Sequence, residues 1–473
     1  MKTAFQVLLA SALTFAAASA GPLTPPPGPV LPTNKTLQEV EPRTPIQSLA
    51  GTAASMYKIT QPGAYYLTGN IDLAPDKNTA IEVGADGVTI DLNGFTLNGA
   101  NADFSKAVRV EDGFFSDALR VHNGHITDWG TGIDGLGLYG AFFDNLRLTF
   151  NDSYGIDAGD KATISNCSAI VCGEGFYLRA GGTVSHSSAG FCGRGFDLGD
   201  GAALTNCHAQ DCGDGFNANS NSTLTNCTAH FCQYGFIGND GNLLTECNAQ
   251  QADSAAFDFG ERCHLSRCLA GLANLASQRG TSFSGSGIIV RARSTVENCT
   301  VAGVFGSGIV ANENCTLRDN HVSDCGAVGI YITGPNTMVV ANTVVRCRFD
   351  TGVLVEGDDC QIEENRVEGS GSEGIHVLSQ RCLIIRNRVC ASGRSNIGAD
   401  DYLIGVGNYA GSILLPAAFT ATLEPNANFT CGTVPPNAAR PAATTPAAAP
   451  SHQPAPTKPG PRAHPQAAAP APR

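Results

Sequence analysis

Asp134 and Asp157 are the residues whose type and spacing could most directly do chemistry. Each closes a Gly-Ile-Asp triplet, Gly132-Ile133-Asp134 and Gly155-Ile156-Asp157. If the triplets occupy equivalent places in successive copies of one structural repeat, their backbones lie about 4.8 Å apart. Carboxyls that close repel, so one keeps its proton to a higher pH and can serve as a general acid. Carboxyl separations of about 5–5.5 Å accompany retaining glycoside hydrolysis and about 6.5–9.5 Å the inverting kind. Asp157 and Asp197, two copies apart, fall near the upper range. Asp134 and Asp157 could instead hold Ca²⁺, which prefers oxygen ligands. Arg109 or Arg179 would then act as base or neutralise charge, an arrangement suited to β-elimination.

A repeat able to position these residues is present. Four units of twenty residues open at Gly155, Gly175, Gly195 and Gly215, without insertion or deletion. A short fixed period marks a solenoid. Aligning the chain on the opening Gly or Ala extends the pattern from Ala80 to Gly374 and gives fourteen turns. A second column follows each opening: Asn93, Asn123, Asn145, Cys167, Ser187, Cys207, Cys227, Cys247, Cys268, Cys299, Asn320, Asn342, Asn365 and Asn387. Each turn holds three short apolar-alternating runs, as in GIYIT, TMVVA and TVVRC after Gly329. An antiparallel sandwich would show hairpin turns and no fixed column. The expected fold is therefore all-β, a parallel β-helix with three short strands per turn. Its inward Asn ladder would satisfy the buried turn backbone.

The repeated Gly-Ile openings, the Asn ladder and the early segment VTIDLNGFTLNG resemble the right-handed parallel β-helix proteins of the pectin-lyase-like class. The resemblance covers about Tyr57 to Val389 and is specific for fold. The class includes pectate lyases, polygalacturonases, alginate epimerases and phage tailspikes, as well as exported proteins of unassigned activity. It implies that the outward face of the first strand of each turn carries the substrate cleft. The sequence departs from the enzymes at their motifs. It has no DPHD of the alginate-epimerase type and none of the NTD, GHG and RIK elements of polygalacturonases.

Side chains alternate along a strand, so the residue two places after each opening should point outward. That column runs Glu82, Arg109, Asp134, Asp157, Tyr177, Asp197, Asn217, Ile237, Asp258, Ile289, Val310, Tyr331, Leu354 and His376. It is polar in the N-terminal half and mostly apolar beyond. Arg179 adds a cation two residues after Tyr177. Aromatic residues cluster in the adjoining turns: Phe114 and Phe115 in an extended turn, Trp129 entering the Gly132 copy, and Tyr139 leaving its first strand. Rings beside carboxylates and amides suit sugars, which present apolar C–H faces and hydroxyls. The expected binding set is Glu82, Tyr177, Asp197, Asn217, Asp258, Phe114, Phe115, Trp129 and Tyr139, with Asp134, Asp157, Arg109 and Arg179 as the catalytic candidates. The insertion Leu269 to Ser286 would wall the far end. The plainer alternative is an ordinary solvated sheet face on a non-enzymatic surface or structural rod. His122 and His125 fall on another side of the coil, and Asp358-Asp359 and Asp400-Asp401 read as solvated loops.

Composition bounds the rest. The chain has 473 residues, 55 of them Gly, with few charges and a net charge of −13. Its folded part shows no basic stripe of the kind that nucleic-acid binding needs. Residues 1–20 read as a signal peptide: Lys2, an apolar run from Phe5 to Ala18, and Ala18-Ser19-Ala20 before the cut. That run is too short to span a membrane, and no later segment is long and apolar enough. The product is expected outside the cytoplasm: extracellular, periplasmic or on the cell surface. Residues 21–55 form a Pro-rich leader, 56–394 the β-helix with its N-terminal cap, 395–431 a C-terminal cap, and 432–473 a disordered, Ala/Pro-rich basic tail. Met56 onward, YKITQPGAYYLTGNIDL, reads as a hairpin or capping strand pair. The 18 Cys mostly recur at repeat positions, which makes them stacking residues. Neighbours one turn apart are close enough that some could oxidise. Calcium is the one cofactor suggested, and polysaccharide the one partner.

Overall fold

The computed structural model describes residues 43–113, 116–271, 285–393, 401–414 and 425–430. The segments expected to be signal peptide and basic tail lie outside these residues, as do most of the leader, residues 272–284 of the long insertion, and parts of the C-terminal cap. The strands form a parallel β-solenoid in which each pairs with its counterpart one turn away. Where the repeat is regular, a single turn comprises Tyr154–Asp157, Thr163–Ser165 and Ser168–Ile170, and the next begins with Glu174–Leu178. These three positions define a first, second and third sheet.

The solenoid has about sixteen turns, two more than the sequence alignment. Ser55–Ile59 and Gly63–Tyr66, expected as a hairpin or a capping strand pair, do not pair with each other. Each pairs in parallel with the following turn, Lys58 opposite Glu82 and Tyr65 opposite Ile90. A Pro62-Gly63 break inside an alternating run turns the chain around a solenoid corner here, so it does not reverse the strand. At the other end Tyr402–Ile404 pairs with Ile375–Val377 and adds a turn.

Inward residues stack on their own kind. Phe176, Phe196, Phe216, Phe236 and Phe257 form a buried column with ring centroids 4.7 to 5.1 Å apart. The preceding glycine is required sterically. A Cβ on Gly175 would sit 2.6 Å from the Gly195 carbonyl oxygen and 3.2 Å from the Ala189 methyl. The corner between the second and third sheets is a single left-handed residue, such as Asn166 (φ 52°), Asn206 (φ 56°) or Asn226 (φ 51°). Asn is the non-glycine residue that tolerates this conformation best.

The inward ladder after that corner is buried from Cys167 to Asn387. Toward the C-terminus each Asn Oδ1 accepts from the backbone N–H one turn earlier: Asn342 from Asn320, Asn365 from Asn342, Asn387 from Asn365 and Asn428 from Asn387. The first three expected members do not belong to it. Register sets Asp144 opposite Ser165 and Arg147 opposite Ser168, so Asn145 is level with Asn166 at the left-handed corner. Asn93, Asn123 and Asn145 are themselves left-handed (φ 51°, 61° and 52°) and none is buried. The expected column is offset by one residue there because Asn serves both positions.

The sixteen cysteines found free are all buried, and Cys390 is disulfide-bonded. Burial pushes the Cys167 thiol up to about 12, which makes it inert as a nucleophile.

Candidate functional site

The outward column on the first sheet is continuous. Register pairs Glu82 with Arg109, Arg109 with Asp134, Asp134 with Asp157, Asp157 with Tyr177, Tyr177 with Asp197, Asp197 with Asn217, Asn217 with Ile237 and Ile237 with Asp258. Side chains one turn apart therefore neighbour each other at about 4.8 Å backbone spacing.

A second outward column runs beside it, three residues earlier in each strand. It comprises Lys106, Thr131, Tyr154, Glu174, Arg194, Asp214 and Tyr234. Simple alternation conceals this column, because a spacing of three would point it inward, yet each of its residues is only half-buried. The overlooked sequence signal was the residue before each opening Gly, which is charged or aromatic in five successive turns from Tyr154 to Tyr234.

Ion pairs neutralise the charges of this face, some between the columns, some within one, and some to Arg179 and Arg291 beside them. Lys106 pairs with Asp134. Arg179 grips Asp157 with two nitrogens, Nη2 to Oδ2 at 2.9 Å and Nε to Oδ1 at 3.3 Å. Arg194 reaches Asp197 at 2.8 Å, Glu174 at 3.1 Å and Asp214 at 3.5 Å. Arg291 holds Asp258 at 2.6 Å, Lys58 lies 3.5 Å from Glu82, and Arg109 lies 3.0 Å from Asp112.

Burial raises the Asp157 carboxyl above its ordinary range. Arg179 and the Gly159 N–H oppose that shift, and Asp134 adds to it. Glu174, Asp197 and Asp214 are raised as well, burial again being the largest cause and Arg194 opposing. Oε2 of Glu174 is buried without a hydrogen-bond partner. Asp157, Glu174, Asp197 and Asp214 are thus partly desolvated acids held by Arg179 and Arg194.

Several expectations change on this geometry. Arg179 does not suit a base, because Asp157 pushes its proton affinity up. Calcium at Asp134 and Asp157 does not fit: both carboxylates already hold cations, and among the described residues no group of three or more His, Cys, Asp or Glu is placed to bind a metal. Trp129 does not face the groove. It is fully buried and its indole N–H donates to the Leu97 carbonyl at 3.0 Å. Phe114 and Phe115 lie outside the described residues. Tyr139 is exposed, with the Lys161 ammonium 5.1 Å from its ring centre. Tyr154 and Tyr177 pack with ring centres 5.5 Å apart, and the Arg179 guanidinium lies 5.4 Å from the Tyr177 ring centre. His122 and His125 sit in other columns. His122 is 3.8 Å from Asp91, and the His125 ring is 2.7 Å from the Thr149 hydroxyl. Burial, reinforced by Arg147, lowers the His125 pKa.

Residues 262–394 match the family model described as the right-handed beta helix region. The fold is accordingly that of a right-handed parallel β-helix. No curated protein matches the chain. Among solved structures it is similar to the Dettilon tailspike protein, with TM-score 0.37 and 12% identity, over 61% of this chain and 62% of that one. It is also similar to the periplasmic alginate epimerase AlgG, with TM-score 0.29 and 11% identity, over 83% and 82%. The A-module of the Azotobacter vinelandii mannuronan C-5 epimerase AlgE4 gives TM-score 0.36 and 13% identity, over 68% and 91%. The chain thus spans less than two thirds of the tailspike's length. Likeness at this level concerns the fold alone. No helix among the described residues is long and apolar enough to cross a membrane.

Proposed function

We propose that this protein is exported and binds a polysaccharide along its first sheet, from Glu82 to Asp258. The observation that supports this is the uninterrupted register of the polar column. It offers carboxylates, a guanidinium, the Tyr177 phenol and an amide at a constant spacing, broken by Ile237 before Asp258, with Tyr154 beside them. A linear glycan presents hydroxyls and ring faces in a comparable repeating row, so successive residues can meet successive turns. The leading segment from Lys2 to Ala20 supports export to where such polymers are found.

The ion pairs bear on catalysis. An acid–base role for Asp157 would draw on its raised pKa, with Asp134 as the partner carboxylate. Both groups are tied to cations, however, which favours binding over cleavage. The same saturation is compatible with a second reading, a non-enzymatic surface rod whose charged face serves stability.

A panel of plant, algal and bacterial polysaccharides tests these readings by affinity electrophoresis, reducing-end release and absorbance of unsaturated products. Binding to at least one glycan is expected. It should be lost in Asp134→Asn/Asp157→Asn and weakened in Tyr177→Ala, with the far-UV spectrum unchanged. Product release abolished by the double substitution would add cleavage at those carboxylates. Failure to bind any glycan would leave the structural rod.

A further inference from the structure

A second polar surface lies at the corner between the second and third sheets, away from the column described above. A depression of about 300 Å³ is lined there by Gly94, Asn123, Asn145, Arg147, Asn166 and Ser168. It exists because Gly94 carries no side chain and, at φ +80°, turns the backbone aside; a Cβ there would meet no atom within 4 Å. That volume is at the lower end of small-molecule sites and suits one or two sugar rings.

The lining chemistry is specific. Most arginines on this coil reach a carboxylate one turn away, as Arg179, Arg291, Arg318 and Arg346 do. Arg147 is exposed and has no carboxylate partner among the described residues. The corner amides are oriented by a chain of hydrogen bonds. Asn145 Nδ2 donates to Asn123 Oδ1 at 3.0 Å, and Asn166 Nδ2 donates to Asp144 Oδ1 at 3.0 Å. This leaves the carbonyl oxygens of Asn145 and Asn166 and the Ser168 hydroxyl to meet hydroxyl donors. Asp144 at this corner is already engaged by Ser165 at 2.7 Å and by Asn166 at 3.0 Å, which hold its carboxyl below the usual range. His125, beside Arg147 in register, is disfavoured as a cation by burial and by Arg147 itself. Arg147 is therefore the cation that an incoming anion would meet. A planar guanidinium pairs with a carboxylate in two-pronged fashion.

We propose that this depression is a second glycan site, and that it takes a carboxylate-bearing sugar, a uronate unit, with its carboxylate on Arg147 and its hydroxyls on the Asn145 and Asn166 carbonyl oxygens. It does not depend on the first-sheet reading, because the two surfaces share no residue.

The test is calorimetric titration of the full chain with tetragalacturonate, tetramannuronate and tetraguluronate, each against its fully methyl-esterified form. At least one acid tetrasaccharide should bind, and its neutral ester should bind about tenfold more weakly or not at all. Arg147→Gln and Ser168→Tyr, the second filling the depression, should each lower affinity by about tenfold. Binding by none of the three acids, equal binding of acid and ester, or wild-type affinity in Arg147→Gln would overturn the proposal. Loss of acid binding in the Asp134→Asn/Asp157→Asn variant alone would assign the ligand to the first sheet and overturn it as well. The ester comparison uses the unsubstituted chain, so it decides the matter even if a variant folds poorly.

Discussion

Replacing Arg194 with Met tests the charge arrangement on the first sheet most directly. Its guanidinium serves Asp197, Glu174 and Asp214 at 2.8, 3.1 and 3.5 Å, three acids on three successive turns. The Arg194 side chain is 43% exposed, so water screens each pair. Three pairs at the exposed-surface value of roughly 0.2–1 kcal/mol each, weighted to the upper end because Asp197 is nearly buried, amount to about 2 kcal/mol at pH 7. Met keeps most of the aliphatic stem, so little of the loss comes from packing.

The sign of the pH dependence follows from the raised carboxyls. A carboxyl whose folded pKa lies above its unfolded value binds more protons when folded. Stability therefore falls as pH rises from the unfolded pKa through the folded one. Arg194 opposes that fall, and its removal raises the three carboxyls further and steepens it. Below the unfolded carboxyl values, near pH 3.5, the acids are largely protonated and the variant should approach the wild type. Urea unfolding followed by far-UV circular dichroism at pH 3.5 and pH 7 reads the difference. Hydrogen exchange at pH 7 should place the loosening in residues 174–218, because solenoid turns interact mainly with their neighbours. An equal loss at both pH values, or none at pH 7, would refute the reasoning.

Three further outcomes follow from the interior. Asn365→Ala strips the acceptor from the Asn342 N–H and side-chain amide and the donor from the Val339 carbonyl. At about 1–3 kcal/mol per buried unsatisfied group, the loss in urea stability should reach about 3 kcal/mol or more. Asn365→Cys should lose less, since Cys299 Sγ accepts the Cys268 N–H at 3.4 Å in the same ladder. Phe216→Ala opens the aromatic column and should cost about 3–5 kcal/mol, with exchange protection lost first in the flanking turns. Trp129, fully buried, should emit at short wavelength and resist iodide quenching until unfolding, and Trp129→Phe should cost about 1–3 kcal/mol through the orphaned Leu97 carbonyl.

The residue order by itself determined the turn, the parallel pairing and the outward column. Each follows from the recurring Gly or Ala openings, evenly spaced from Gly155 to Gly235 and less so outside, combined with the two-residue alternation of a strand, and the register from Glu82 to Asp258 keeps that order. Where the chain leaves strand geometry, alternation carries no direction. Trp129 stands in an irregular stretch beside left-handed Asp128 (φ 62°), and its ring turned inward. Asn145 and Asn320 are the same residue type in similar settings, yet one occupies the corner and the other the core, a difference of one position that only hydrogen bonding across turns resolves. Which acid each cation would hold was equally invisible. Arg179 to Asp157 and Lys106 to Asp134 are contacts between turns, 22 and 28 residues apart, set by where the side chains end and not by their places in the repeat. The depression at Gly94 and Arg147 likewise exists only once four consecutive corners are stacked.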